Sequence, residues 1–199
     1  MRGPALRTVA FLAAAAVVLP ASAIAQTELI PLERVRQLYA SGQPRDAARA
    51  LGTVSAEFRQ EIGRCRDPEI GAKLMELEPR IDALVARLGN GRVENERELT
   101  SEFAVIDQHL AENHLQLAEL GWSLRRFGNV DAVGRDLDLA ARYAERSARW
   151  GQRSLDANAR ATIVAARATA AKIIATPEQP PSDTERSLSA LARLIKEPR

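Results

Sequence analysis

Between Leu99 and Phe127, residues recur at alternating intervals of four and three: Leu99, Phe103, Ile106, Leu110, Asn113, Leu117, Leu120, Leu124 and Phe127. Eight of these nine are apolar. A strand places every second residue on one face and cannot gather this set, whereas a helix lines it up as one stripe. The spacing predicts a helix over about residues 94–127 with a coiled-coil-like seam that needs a partner along its length.

The next segment supplies that partner. After the turn signal Phe127-Gly128-Asn129, no proline occurs from Asp131 to Thr176, and the only glycines are Gly134 and Gly151. This predicts one helix of about 45 residues, close to 70 Å long at 1.5 Å per residue. Its seam reads Leu137, Ala141, Ala144, Ala148, Gly151, Leu155, Asn158, Thr162, Ala165 and Thr169, with side chains small enough for close approach. Residues 93–128 hold seven acids and three bases, and residues 129–176 hold five acids and eight bases. Opposite charge and a short turn favour an antiparallel hairpin over residues 94–175. Asp138 with Arg142, Glu145 with Arg149 and Asp156 with Arg160 are spaced as ion pairs of its solvated face.

Prolines and glycines divide the rest. A short segment over Pro31 to Ala40 ends at Gly42, and Pro44 opens a helix running to about Cys65. Asp67-Pro68-Glu69 reads as a cap, a first-turn proline and an acidic first turn. The helix it opens reaches Leu88, with Pro79 expected to kink it, and stops at Gly89-Asn90-Gly91. The expected fold is therefore all-α: an elongated helical bundle over residues 26–176, built on the long antiparallel hairpin. A proline-rich linker at 177–182 and a short amphipathic helix over 183–199 follow, the helix carrying Leu188, Leu191, Leu194 and Ile195 on one side.

Residues 1–25 read as a secretory signal peptide rather than as part of the fold. Arg2 and Arg7 precede an uncharged run from Thr8 to Leu19, and the small residues Ala21, Ala23 and Ala25 lead to a cleavage site after Ala25, with cleavage after Ala23 the alternative. The run falls short of the ~20 residues of a spanning helix. The expected location is periplasmic or secreted. The formal charge of +2 disappears with the two leader arginines. A neutral mature chain lacks the cationic excess of a nucleic-acid binder. Membrane contact is not expected apart from the leader or the C-terminal helix, which has no basic excess.

Two stretches, Leu38 to Leu51 (with Gly42 and Ala47) and Leu120 to Ala140 (with Gly121, Leu124, Gly128 and Leu137), resemble tetratricopeptide repeats in their Leu/Gly, Gly and Ala positions. The resemblance implies paired helices. Gly42 and Gly128 lie 86 residues apart, which is not a multiple of the 34-residue period, and the terminal proline of the pattern is missing.

Few residues suggest chemistry. Cys65 is the single cysteine, flanked by Arg64 and Arg66, and reads either as a buried thiol or as half of an intermolecular disulfide. His109 and His114 are five apart and do not share a helix face as metal ligands four apart do. Asn113 and Asn158 interrupt the two seams and read either as register-fixing residues or as residues that face solvent after a drift in phase. Leu115 and Trp122 lie opposite the first seam, either as core or as a docking stripe. Neither a glycine-rich phosphate loop, a nucleophile elbow nor a zinc-binding H-E-x-x-H occurs. The sequence thus points to a non-enzymatic helical interaction or scaffold protein of the cell envelope. It would bind itself or an envelope partner through helix faces, with no cofactor and no metal. The alternative is a sensor or carrier bundle holding a small apolar molecule.

Overall fold

The computed structural model describes residues 29–196; the expected leader lies outside them. Seven helices follow in order: α1 (Leu32–Ala40), α2 (Pro44–Arg64), α3 (Pro68–Gly89), α4 (Glu96–Ser123), α5 (Val130–Trp150), α6 (Ala157–Ala175) and α7 (Thr184–Lys196). The described residues contain no strand. The protein is an all-α helical bundle.

Local chemistry accounts for the helix starts. Asp67 accepts hydrogen bonds from the Glu69 and Ile70 amides at 2.9 and 3.0 Å, with Pro68 behind it. Asn95 accepts from the Glu98 amide at 2.9 Å, and Glu98 in turn accepts from the Glu94 amide at 2.8 Å. Pro44 occupies the first turn of α2, and Pro79 lies inside α3.

α4 joins the halves of the bundle. It packs most extensively on α5 and also contacts α1, α3 and α7, while α2 lies against α1 and α3. Facing pairs show that α4 and α5 run antiparallel: Ser147 donates to the Ala104 carbonyl at 2.8 Å, and Gly121 lies against Val133 at the opposite end. One continuous core results, from Leu32 and Val35 through Phe58, Leu74, Phe103 and Leu110 to Leu137, Ile173 and Leu191. α7 closes it, with Leu188, Leu191 and Ile195 buried and the Gln108 side chain of α4 donating to the Ile195 carbonyl at 2.8 Å.

The single 45-residue helix is not formed. The chain leaves helical geometry at Gly151, Gln152 takes a left-handed φ of 53°, and Asp156 caps a new helix through the Ala159 amide at 2.7 Å. α6 folds back on α5, so Arg167 reaches Asp138 at 3.3 Å and Gly134 lies against Ala170 and Ile174. Small seam residues explain the preference: two short helices stacked on one another bury more apolar surface than one long alanine-lined rod. The break also rotates the buried face, to Ile163, Ala166, Thr169, Ala170 and Ile173. Asn158 is exposed, which removes it as a register residue, and Ala165 is exposed as well. Of the three ion pairs expected along one helix face, Asp138–Arg142 forms at 3.5 Å. Asp156 caps instead, Glu145 lies 3.8 Å from Arg167, and Arg149 reaches Glu33 at 3.4 Å.

The α5–α6 crossing depends on Gly134. A methyl group there would lie 2.7 Å from Ile174 Cγ1 and 2.9 Å from the Ala170 carbonyl oxygen, and the carbonyl cannot rotate away. Gly134→Ala gains helix propensity but forces the helices apart, so a net loss of about 1–2 kcal/mol is expected. Urea unfolding of the variant checks this; stability equal to the parent's would show that the crossing is looser than described.

Candidate functional site

The seam of α4 meets the core only along its first part. Leu99, Phe103, Ile106, Leu110 and Asn113 are buried, Leu117 is half-buried, and Leu120, Leu124 and Phe127 emerge into solvent. α4 ends at Ser123, before the predicted end of the seam. The expectation of a fully covered seam is thus corrected: α5 starts only at Val130, and α1, α3 and α7 meet α4 between Glu96 and Glu112, so the last seam positions are left exposed.

Beneath the surface lies a polar network that the apolar periodicity does not announce. Asp136, Tyr143 and Trp150 are spaced by seven on α5, with Arg146 between the last two. Asp107 of α4 is fully buried and accepts from Arg146 Nε and Nη2 at 2.6 and 2.8 Å, and from the Trp150 indole at 2.9 Å. The third side of the guanidinium donates to the Ile30 carbonyl at 2.8 Å, and the Ile30 amide donates to the Tyr143 hydroxyl at 3.1 Å. Both backbone groups of Ile30 are therefore held by buried α5 side chains. Burial pushes the Asp107 carboxyl above the usual carboxylate range, with the Arg146 hydrogen bonds and charge pulling the other way. Burial likewise pushes the Tyr143 phenol upward.

His114 extends this network to α2. Its ring stacks on Tyr143 at 5.5 Å between centroids, nearly parallel. Nδ1 lies 2.9 Å from Asp136 Oδ1 and Nε2 lies 3.4 Å from Glu61 Oε2. Arg64 donates to both carboxylates, at 3.3 Å to Asp136 and 3.1 Å to Glu61. Nε2 is buried and has no hydrogen-bond partner. His114 also forms part of the wall of a cleft of about 260 Å³, with Ile30, Glu57, Glu61, Leu139 and Tyr143 among the other lining residues. Among the described residues, no hydroxyl or thiol is hydrogen-bonded to this imidazole. The histidine is placed to hold or exchange a proton with two carboxylates, without an adjacent nucleophile.

A larger cleft, about 360 Å³, opens where α4, α5, α6, α7 and the 151–156 loop meet. Ala144, Ala148, Leu155 and Leu194 give it apolar walls, and Arg153, Asn158 and Arg193 give it polar ones. A shallow groove of about 510 Å³ lies over the Glu33, Arg36, Glu96 and Arg149 ion pairs. Helices broken at Gly151 and Gly91 meet at ends, and ends leave clefts.

The other residues singled out from the sequence scatter. Cys65 terminates α2, half-buried, with its thiol donating to the Asp67 carbonyl at 3.3 Å, and Gly71 is packed close by. Leu115 is core. Trp122 is half-buried against the core, with Arg125 over its ring at 4.5 Å. Asn113 is fully buried, and neither its oxygen nor its nitrogen has a partner. His109 lies away from His114 and pairs with Glu112 at 3.3 Å. Burial alone would raise the Glu112 carboxyl, but the His109 hydrogen bond, with further help from Gln108 and Lys73, brings it below the usual range. No group of three His, Cys, Asp or Glu side chains among the described residues is arranged to hold a metal ion. The signal available for the missed network was the heptad spacing of Asp136, Tyr143 and Trp150, a polar and aromatic stripe beside the alanine seam. No protein-family model, curated protein or solved structure matches the chain.

Proposed function

We propose that this is an exported, non-enzymatic interaction or scaffold protein of the cell envelope, acting through helix faces and binding a second copy of itself or an envelope protein. Residues 1–25 serve as its signal peptide, cleaved after Ala25, and its location is the periplasm or the exterior. One observation carries the reading: Leu120, Leu124 and Phe127, the last members of the α4 seam, are 37%, 50% and 92% exposed. Large apolar side chains at consecutive seam positions, left uncovered together, are the usual mark of a surface that another chain covers. Trp122, Arg125 and Arg126 border them, and Trp and Arg are over-represented among residues that carry binding energy.

The test is sedimentation of the mature protein over a wide concentration range, together with crosslinking in whole cells. Concentration-dependent association, or one reproducible envelope partner, is expected. Leu124→Ser with Phe127→Ser should weaken that association at least about tenfold, while unfolding stability changes by no more than about 0.5 kcal/mol, since neither side chain is core. A strict monomer without a crosslinked partner overturns the reading.

The second reading, a bundle holding a small apolar molecule, is favoured by the 360 Å³ cleft, whose size falls within the ~300–1,000 Å³ of ligand sites. Native mass spectrometry of freshly purified protein distinguishes it through the added mass of a co-purified ligand.

A further inference from the structure

The cleft of about 360 Å³ exists because the α5 seam is made of alanines. Ala144 and Ala148 leave room on α5, and the break at Gly151 with the left-handed Gln152 carries the chain off the helix axis. α6 and α7 add further walls without filling the gap. Ala144, Leu155, Ala159, Ala190 and Leu194 come from α5, the 151–156 loop, α6 and α7, and all five are half-buried where they line it. Apolar surface from four elements thus converges on one concavity, the arrangement that takes a hydrocarbon chain. Its volume equals that of about twelve waters at ~30 Å³ each, enough for the roughly ten non-hydrogen atoms of an eight-carbon carboxylate.

The charges around the cleft select the other end of such a molecule. Arg153, from the loop, and Arg193, from α7, both line it and both are exposed. Arg142, Arg146 and Arg149 of α5 and Arg167 of α6 each lie within 4 Å of a carboxylate. Arg153 and Arg193 do not: Arg153 donates to the Ser147 hydroxyl at 3.2 Å and Arg193 to the Ser189 carbonyl at 3.4 Å. Each guanidinium has five N–H donors, so most are left to spend. The single acidic residue of the lining, Asp156, caps α6 through the Ala159 amide at 2.7 Å and pairs with neither arginine. We propose that this cleft binds a single-chain amphiphile with an anionic head, a medium-chain carboxylate, its hydrocarbon lying against Ala144, Leu155 and Leu194 and its head held at the rim by Arg153 and Arg193. The proposal rests on the second reading above and adds to it the charge of the ligand.

The experiment uses the purified mature protein and three probes with the same tail: octanoate, 1-octanol (no charge) and octyltrimethylammonium (the opposite charge). Backbone amide spectra are recorded during each titration. Octanoate is expected to shift the resonances of Ala144, Ala148, Leu155 and Ala159 with a dissociation constant of about 0.1–1 mM. Octanol should bind the same residues at least about fivefold more weakly, and octyltrimethylammonium more weakly still. Arg153→Gln with Arg193→Gln should reduce octanoate to the affinity of octanol and leave octanol unchanged, whereas Arg153→Lys with Arg193→Lys should keep most of the preference for octanoate. Equal binding of octanoate and octanol, or no loss on the double glutamine variant, overturns the anionic assignment while leaving an apolar site in place. If none of the three probes moves the cleft resonances, or if octanoate moves only those of Leu120 to Phe127, the ligand site itself is overturned. Should the double glutamine variant fail to fold, the ranking of the three probes on the parent protein decides alone.

Discussion

Replacing Arg146 with methionine is expected to cost about 3–5 kcal/mol of unfolding free energy at neutral pH, the largest loss of any substitution proposed for this chain. Methionine keeps most of the hydrocarbon stem, so packing changes little. What changes is Asp107: fully buried, it loses two charge-assisted hydrogen bonds and keeps only the Trp150 indole. The Ile30 carbonyl loses one of its two donors in the same step and keeps the Leu32 amide at 2.8 Å. Two features separate this account from simple cavity formation. Asp107→Asn placed on top of Arg146→Met removes the stranded charge while retaining an acceptor for Trp150, so the double variant should regain about 1–2 kcal/mol over the single one. The single variant's penalty should also depend on pH. Burial already holds Asp107 above the usual carboxylate range, and Arg146 is the main pull in the other direction. Without Arg146 the folded-state value rises further above the unfolded value of about 3.9. A carboxyl raised on folding supports the fold below that unfolded value and loses its support as pH climbs through the folded one. The penalty should therefore be smallest near pH 4 and grow toward neutrality. Urea unfolding of parent, single and double variants across that range checks this, and a pH-independent loss would mean that Asp107 is not stranded.

The same network sets what the beginning of the described chain does. Ile30 lies five residues beyond the expected cleavage point, and its amide and carbonyl are both fastened to α5. Its side chain is buried as well. The segment thus closes the bundle over Tyr143 and helps to line the His114 cleft. The core network and the wall of this cleft are complete only when this segment is seated.

Sequence reasoning reached the parts of this fold that are written locally. The Asp67-Pro68-Glu69 start, the Pro44 start and the glycine stop after Leu88 need only a few consecutive residues, and α2 and α3 begin, and α3 ends, where those signals lie. The break at Gly151 was obscured because the heptad phase was carried across it. Asp156, read as an ion-pair partner for Arg160, is instead a cap for the next helix. A single glycine and a cap are weak signals against a long alanine-rich run, and tertiary stacking of α6 on α5 decided between them. The candidate site was less legible still. His114 meets Asp136 and Glu61 from two other helices, and Asp107 meets Arg146 at a separation of 39 residues. No spacing along one chain encodes a pair that exists only after two helices have packed. Asn113 was singled out as a polar break in an apolar seam, and there the sequence pointed to a real anomaly.

Asn113→Leu is expected to stabilise the protein by about 2–3 kcal/mol, the opposite sign to most core substitutions. The amide is fully buried, and neither its oxygen nor its nitrogen has a hydrogen-bond partner. Each such group carries a desolvation cost of about 1–3 kcal/mol that nothing in the fold returns. Leucine keeps the same branched skeleton and matches the seam on either side, Leu110 and Leu117, so no cavity is created, and the extra bulk of its two methyl groups is the one packing cost set against the gain. Asn113→Ala separates the two contributions: it removes the unpaired amide but opens a void, and should fall well below Asn113→Leu in stability. A seam asparagine often persists because it holds helices in one register against alternatives that bare leucines would permit. That role has its own signature. If Asn113 serves it, Asn113→Leu will be more stable than the parent yet will sediment with additional oligomers or show a second set of amide resonances. If the variant is both more stable and unchanged in assembly, the asparagine contributes only cost to the isolated bundle. A loss of stability on Asn113→Leu would mean that the buried amide does have a partner, with a water held between helices the simplest one.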